Sequence, residues 1–167
     1  VLAFAERYAA LAEEQARAAD TRRREELKEI ARVCRRVPRR PAESFREALQ
    51  SFWFVQLVPH IDSDGTALSP GRFDQYLGPY LDADLREGRI TVEEAQDLID
   101  RLWLKFNQIL SLWKAEDAKY FGGFPISQNL VVGGVDRDGR DAANALSLLC
   151  LRATQRLKLP QPALSAR

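Results

Sequence analysis

The run Asp136-Arg137-Asp138-Gly139-Arg140-Asp141 crowds carboxylates into one short stretch, a pattern that invites calcium. An EF-hand loop needs oxygen ligands at alternate positions, glycine at the sixth and a bidentate glutamate at the twelfth. Counting from Asp136, glycine comes fourth and the twelfth residue is Ser147. The run therefore reads as a turn, with Asp141 as the cap of a following helix. Asp62 and Asp64 have only His60 close by and lack a third carboxylate. His60 is the single histidine, which excludes a His-rich zinc or iron site, and a structural hydrogen bond is its simplest role. Cys34 and Cys150 stand outside any CxxC pair, and Cys150, among Leu148, Leu149 and Leu151, reads as a small core residue. Gly122-Gly123 and Gly133-Gly134 do not form G-x-G-x-x-G; they suit tight turns or close backbone approach. Arg22-Arg23-Arg24 and Arg35-Arg36, with Glu25 and Glu26 interleaved, read as a solvated helix face. From residue types and spacing alone, no acid–base pair, nucleophile triad or metal cluster assembles.

The elements that must position these residues are mostly helical. Of 167 residues, 46% are hydrophobic and 29% charged, enough for a core and too apolar for disorder. Lys and Arg total 25 against 24 for Asp and Glu, which excludes a dedicated nucleic-acid binder with its clustered cationic excess. No apolar run approaches the roughly 20 residues of a bilayer crossing. A soluble, cytoplasmic protein of a reducing compartment is expected. The sequence opens at Val1 inside a helical pattern and stops at Arg167 just after an apolar stretch, so it reads as an excerpt of something longer.

Apolar spacing predicts helices over about 1–19, 20–33, 42–57, 80–86 and 91–113. The second half of 42–57 is apolar nearly all round, which predicts burial on every side. Thr91-Val92-Glu93-Glu94 is a capping box, and Gly88 suits the left-handed position after a helix. Residues 120–125 are expected to be irregular. A buried strand over 128–134, a helix over 142–157 capped by Asp141, and a strand start at 162–167 complete a parallel strand–helix–strand unit. The chain thus divides into a helical layer over about 1–113 and a strand-bearing portion over about 120–167.

Several segments in order carry a resemblance. They are Glu47-Ala48-Leu49-Gln50-Ser51-Phe52-Trp53-Phe54, Ser69-Pro70-Gly71-Arg72-Phe73-Asp74-Gln75-Tyr76, Gln128-Asn129-Leu130-Val131-Val132-Gly133-Gly134, Asp138-Gly139-Arg140-Asp141 and Gln161-Pro162-Ala163-Leu164-Ser165. Together they resemble the pyruvate formate-lyase-like region of glycyl radical enzymes, in the glycerol and choline lyase branch, over residues 1–167.

The resemblance implies a mainly helical excerpt of a ten-stranded α/β barrel. It implies a glycyl radical, installed by a separate radical-SAM activating enzyme, and a cysteine thiyl radical that abstracts hydrogen from a small polar substrate, which then loses water or another leaving group. It further implies a homodimer, and no nucleic-acid or membrane partner. Neither Cys34 nor Cys150 lies in the family's Gly-Cys-x-Glu motif, and the C-terminal glycyl motif does not occur, so this chain alone is expected to be inactive. A non-catalytic helical scaffold derived from the same fold is the alternative. In diol-dehydrating relatives the loop before the Gly71-Arg72-Phe73-Asp74-Gln75-Tyr76 motif reads Glu-Ser-Asn-Gly-His-Ser. Here it is Asp62-Ser63-Asp64-Gly65-Thr66-Ala67: Thr66 keeps a hydroxyl where the histidine stood, and Ala67 carries no polar group. Ser127 stands where relatives carry an aromatic residue facing substrate. Thr66, Ala67 and Ser127 are the expected substrate-binding positions, and no catalytic, cofactor-binding or metal-binding residue is expected in this chain.

Overall fold

The computed structural model describes residues 1–63, 67–110, 114–122 and 126–167. The chain divides into two units, Val1–Val58 and Pro59–Arg167.

The first unit is helical. Helix α1 (Leu2–Ala18) and helix α2 (Thr21–Arg36) are joined at Asp20, whose side chain accepts from the Arg23 amide at 3.0 Å and satisfies one of the amides that a helix start leaves open. Ala5, Ala9, Ala12 and Ala16 recur on one face of α1 and are all buried. Such small residues let the α2 side chains Leu27, Ala31 and Cys34 approach closely, and all belong to one cluster with Phe54 of helix α3 (Phe45–Ser63). Charge ties the unit together around that core. Arg35 of α2 pairs with Glu6 and Glu13 of α1, while Arg32 and Arg36 converge on Glu47 of α3, which is 3% exposed. Several of the arginines expected merely to face solvent are therefore cross-links between helices.

The prediction of all-round burial fails for α3: Val55 is 56% exposed. More apolar side chains crowd this helix than one packed face can cover. The helix also continues past residue 57 and carries Pro59 inside it.

The second unit holds a parallel three-stranded sheet in the order β1-β2-β3, with strands β1 (Gly71–Arg72), β2 (Asn129–Val132) and β3 (Ala163–Ala166). Helices α4 (Phe73–Arg86), α5 (Val92–Phe106), α6 (Ala115–Phe121) and α7 (Ala145–Leu157) complete it. The expected β2–α7–β3 parallel crossover is present, with Leu130 opposite Leu164. Its core sets Phe73 and Phe106 edge-on to Trp103, among buried Leu77, Leu81, Ile99, Leu130 and Leu146. The architecture is mainly helical with short strands.

Several boundaries differ from expectation for identifiable reasons. Helix α4 begins at Phe73 rather than near residue 80, because Phe73, Leu77 and Leu81 form one buried stripe whose packing outweighs Pro79 within it. Helix α5 opens with the expected capping box but ends at Phe106 instead of 113. There the Asn107 side chain donates to the Trp103 carbonyl at 2.9 Å and to the Gln161 carbonyl at 2.6 Å, competing with a further helical turn. Tyr120 and Phe121, expected to be irregular, close α6, and the Gly122 amide bonds to the Ala118 carbonyl at 3.0 Å. The cap of α7 is Asn144, not Asp141: Asn144 accepts from the Leu146 and Ser147 amides, and the Ser147 hydroxyl accepts from the Asn144 amide. Asp141 instead accepts from Ala143 in the turn before the helix.

Candidate functional site

Two short segments approach one another on the N-terminal side of β1 and β2. The Ala67 amide donates to the Ile126 carbonyl at 2.7 Å, placing Ala67 beside Ser127 although 60 residues apart in sequence. Closer to the sheet, the Asn129 amide donates to the Ser69 hydroxyl at 3.4 Å, and the paired strands begin at Gly71 and Leu130. The two segments thus extend the parallel pairing of β1 with β2 beyond its regular part. Ala67 and Ser127 are both exposed, and both hold left-handed backbone, φ +62° and +59°. Thr66 lies outside the described residues.

Ser127 sits between two anchored neighbours. Ile126 is buried. Gln128 is fully buried; its amide donates to Gln161 Oε1 at 2.9 Å, its side-chain nitrogen donates to the Phe106 carbonyl at 3.2 Å, and its own carbonyl accepts from the Ala163 amide. The chain on both sides of Ser127 is therefore held by β3, α5 and the segment before β1.

The far end of β2 is clamped by the residues that open α4. Arg72 donates to the carbonyls of Gly133 and Val135 at 3.1 and 2.9 Å. Gln75 donates to the Ala142 carbonyl at 2.8 Å. Asp74 is fully buried; its Oδ2 accepts from the Gly133 amide at 2.7 Å and from the Ser147 hydroxyl at 2.5 Å, while its carbonyl accepts from Asn144. Asp74 Oδ1 has no hydrogen-bond partner among the described residues. Gly133 has φ +71°, and a Cβ there would stand 2.7 Å from the Arg167 carbonyl, so only glycine fits where β2 leaves the sheet beside β3. The Arg72-Phe73-Asp74-Gln75 string carries the resemblance in sequence, but its role as a clamp is not legible there. The signal was present, a charged and amide-rich string directly before an apolar stripe, but its partners lie about 60 to 70 residues away.

The remaining candidates are placed plainly. Cys34 lies in the alanine-lined cluster of the first unit, and its thiol is pushed up by burial. Cys150 is fully buried in α7; burial raises its thiol well above the usual range, and nearby Asp74 raises it further. Neither can serve as an accessible thiolate. His60 is buried and Asp62 exposed, while Asp64 lies outside the described residues. Asp136 closes the expected turn, its Oδ1 accepting from the Asp138 and Arg140 amides. Among the described residues no group of His, Cys, Asp or Glu could hold a metal ion. No helix there is long and apolar enough to cross a membrane. A groove of about 370 Å³ between α5 and α7, lined among others by Glu93, Gln96, Asp97, Asp100, Arg152 and Arg156, was not foreseen. Arg156 and Asp100 neutralise each other there at 3.1 Å.

Comparisons with known proteins cover the whole sequence. The family described as pyruvate formate lyase-like matches residues 1–167. An isethionate sulfite-lyase of Nitratidesulfovibrio vulgaris is 37% identical over 170 residues, covering 100% of this chain and 20% of that protein. A Roseburia inulinivorans structure concerned with 1,2-propanediol dehydration matches with a TM-score of 0.96 and 51% identity over 99% of this chain and 20% of that one. A glycyl radical enzyme of Archaeoglobus fulgidus gives a TM-score of 0.94 at 43% identity, over 99% of this chain and 22% of its own. The chain spans about a fifth of the length of these relatives.

Proposed function

The chain belongs to the pyruvate formate lyase-like family, and from that premise we propose that it forms part of a glycyl radical lyase or dehydratase. The substrate is a small polar molecule that loses water or another leaving group by cleavage of a C–O or C–N bond. The three parallel strands belong to the wall of a ten-stranded barrel, in a cytoplasmic, anaerobic homodimeric enzyme activated by a radical-SAM partner. A glycyl radical, when installed, would supply the hydrogen-abstracting chemistry, which none of the residues described in this chain would hold. Cys34 and Cys150 do not fit that role, since neither stands in a Gly-Cys-x-Glu sequence and each lies within a helix rather than on a loop.

The contribution of this chain is one wall of the pocket, formed by Thr66, Ala67 and Ser127. The observation that carries this reading is the Ala67–Ile126 hydrogen bond, which joins the two segments picked out separately in sequence. Thr66 supplies a hydroxyl, Ala67 leaves its place apolar, and Ser127 adds volume and a second hydroxyl. A buried barrel interior keeps a reactive radical away from solvent and side reactions.

The test uses the full-length polypeptide that contains this chain, incubated anaerobically with the activating enzyme. An organic radical signal by electron paramagnetic resonance, and consumption of a candidate diol or amine, are expected. The chain of residues 1–167 alone should give neither. A full-length protein with no radical under conditions that activate a known relative would favour the non-catalytic scaffold instead.

A further inference from the structure

The groove between α5 and α7 shares no residue with the segments around Ala67 and Ser127. Gln96 lines it and is 6% exposed. Both hydrogens of the Gln96 side-chain nitrogen are used, one on Asp100 Oδ1 at 2.8 Å and one on the Leu149 carbonyl at 3.2 Å. Its Oε1 is shielded from solvent and accepts from no donor among the described residues. Turning the amide over would set that oxygen against two acceptors, so the missing donor is missing in either orientation. A buried acceptor without a donor is costly, and a donor lodged in the groove would relieve it.

The charges of the groove sort into pairs, with one of each sign left over. Asp100 pairs with Arg156 at 3.1 Å, and Asp97 with Arg101 at 2.8 Å. Glu93 and Arg152 are both exposed, and neither forms an ion pair among the described residues, with the other included. Glu93 stands one turn before Gln96 on α5. Arg152 stands one turn after Leu149, the residue that Gln96 holds, on α7. An unpaired anion and an unpaired cation thus flank the unsatisfied amide from the two walls. We propose that the groove is a binding site for a small zwitterion, a molecule carrying an ammonium and a carboxylate. The carboxylate pairs with Arg152, whose planar guanidinium can donate two parallel hydrogen bonds. The ammonium pairs with Glu93 and donates to Gln96 Oε1. A volume of about 370 Å³ suits a ligand of amino-acid size. A singly charged ligand would leave either Glu93 or Arg152 unmatched.

The experiment is calorimetric titration of the full-length protein, without radical installed, at neutral pH. The zwitterionic probe is γ-aminobutyrate, and butyrate and butylamine are the singly charged controls. The zwitterion should bind about tenfold more tightly than either control. Glu93→Gln and Arg152→Gln alter exposed side chains with no ion pair to lose, so each should keep the parent thermal midpoint. Each should weaken γ-aminobutyrate about fivefold. No binding of γ-aminobutyrate, or equally tight binding of a control, overturns the zwitterion site. Unchanged affinity in both variants would put the ligand elsewhere and overturn the assignment to this groove. Neither outcome bears on the lyase reading, which stands or falls with the radical signal.

Discussion

Single side chains in this chain act mainly as ties rather than reagents. Cys34 and Cys150 illustrate it: burial raises both thiols, and the thiolate is the reactive form. At neutral pH an aromatic disulfide reagent should label neither residue in the folded full-length protein and both after denaturation. Rapid labelling of Cys150 in the native state would contradict its placement in α7. Glu47 is the opposite case. Burial would raise its carboxyl, but the Glu43 amide together with Arg32 and Arg36 outweighs burial and holds it below the usual carboxylate range. Its folded-state pKa is thus depressed relative to the unfolded chain. The stability it contributes is complete above the ordinary glutamate pKa, about 4.3, and is lost as pH falls through the lower folded value. Glu47→Gln should therefore weaken hydrogen-exchange protection in α1 and α2 at pH 6, and flatten its decline toward pH 3. An identical pH profile in the variant would show that Glu47 does not carry this dependence.

At the scale of elements, helix boundaries are decided by the few residues that satisfy end groups. Thr91 accepts from the Glu94 amide at 3.1 Å, and Glu94 reaches back to the Thr91 amide at 2.8 Å. Removing the hydroxyl frees an amide of the first turn, and Thr91→Ala should destabilise α5 by about 1 kcal/mol. Exchange protection of the first α5 amides should fall roughly fivefold, since about 1 kcal/mol is that factor in an opening equilibrium. Unchanged protection would mean that packing of Ile99 and Trp103 alone holds the start of the helix. The turn from β2 into α7 depends on a distant element instead. Asp74 joins the Gly133 amide to the Ser147 hydroxyl. Asp74→Ala would leave both groups buried without their acceptor, at a cost on the order of 1–3 kcal/mol each. The expected result is a lower thermal midpoint, with Asp74→Asn intermediate. No change in either variant would remove the clamp as a stabilising element.

For the molecule as a whole, what matters is how much apolar surface these residues leave uncovered. Leu110 is 81% exposed, Ile61 64%, Leu148 60%, and Leu104 48%. The outer strands β1 and β3 each have a sheet neighbour on one side only among the described residues. Exposed apolar patches and open strand edges promote association. Residues 1–167 expressed alone should therefore sediment as oligomers or aggregates at micromolar concentration, whereas the full-length protein should form one defined species. A monomeric profile with a cooperative thermal transition for the isolated chain would contradict this.

What could be read in the sequence was local or carried by ordered motifs. The α1 and α2 repeats, the Thr91 capping box, the apolar β2 run and the α7 stripe each lie within one segment, where spacing is sufficient. The family was legible because several motifs keep their order along the chain. The sequence also singled out Ala67 and Ser127, but only by likeness to relatives. That they adjoin, that both are left-handed, and that Ser127 is pinned by Gln128 depend on hydrogen bonds reaching Phe106, Gln161 and Ala163. The start of α4, the stop of α5 at Asn107 and the cap at Asn144 were decided in the same way. In each case a competing local signal, Pro79, an apolar run or Asp141, yields to packing or to a polar partner far along the chain. Spacing in one dimension records which groups are present; which of them meet is settled only when the chain closes on itself.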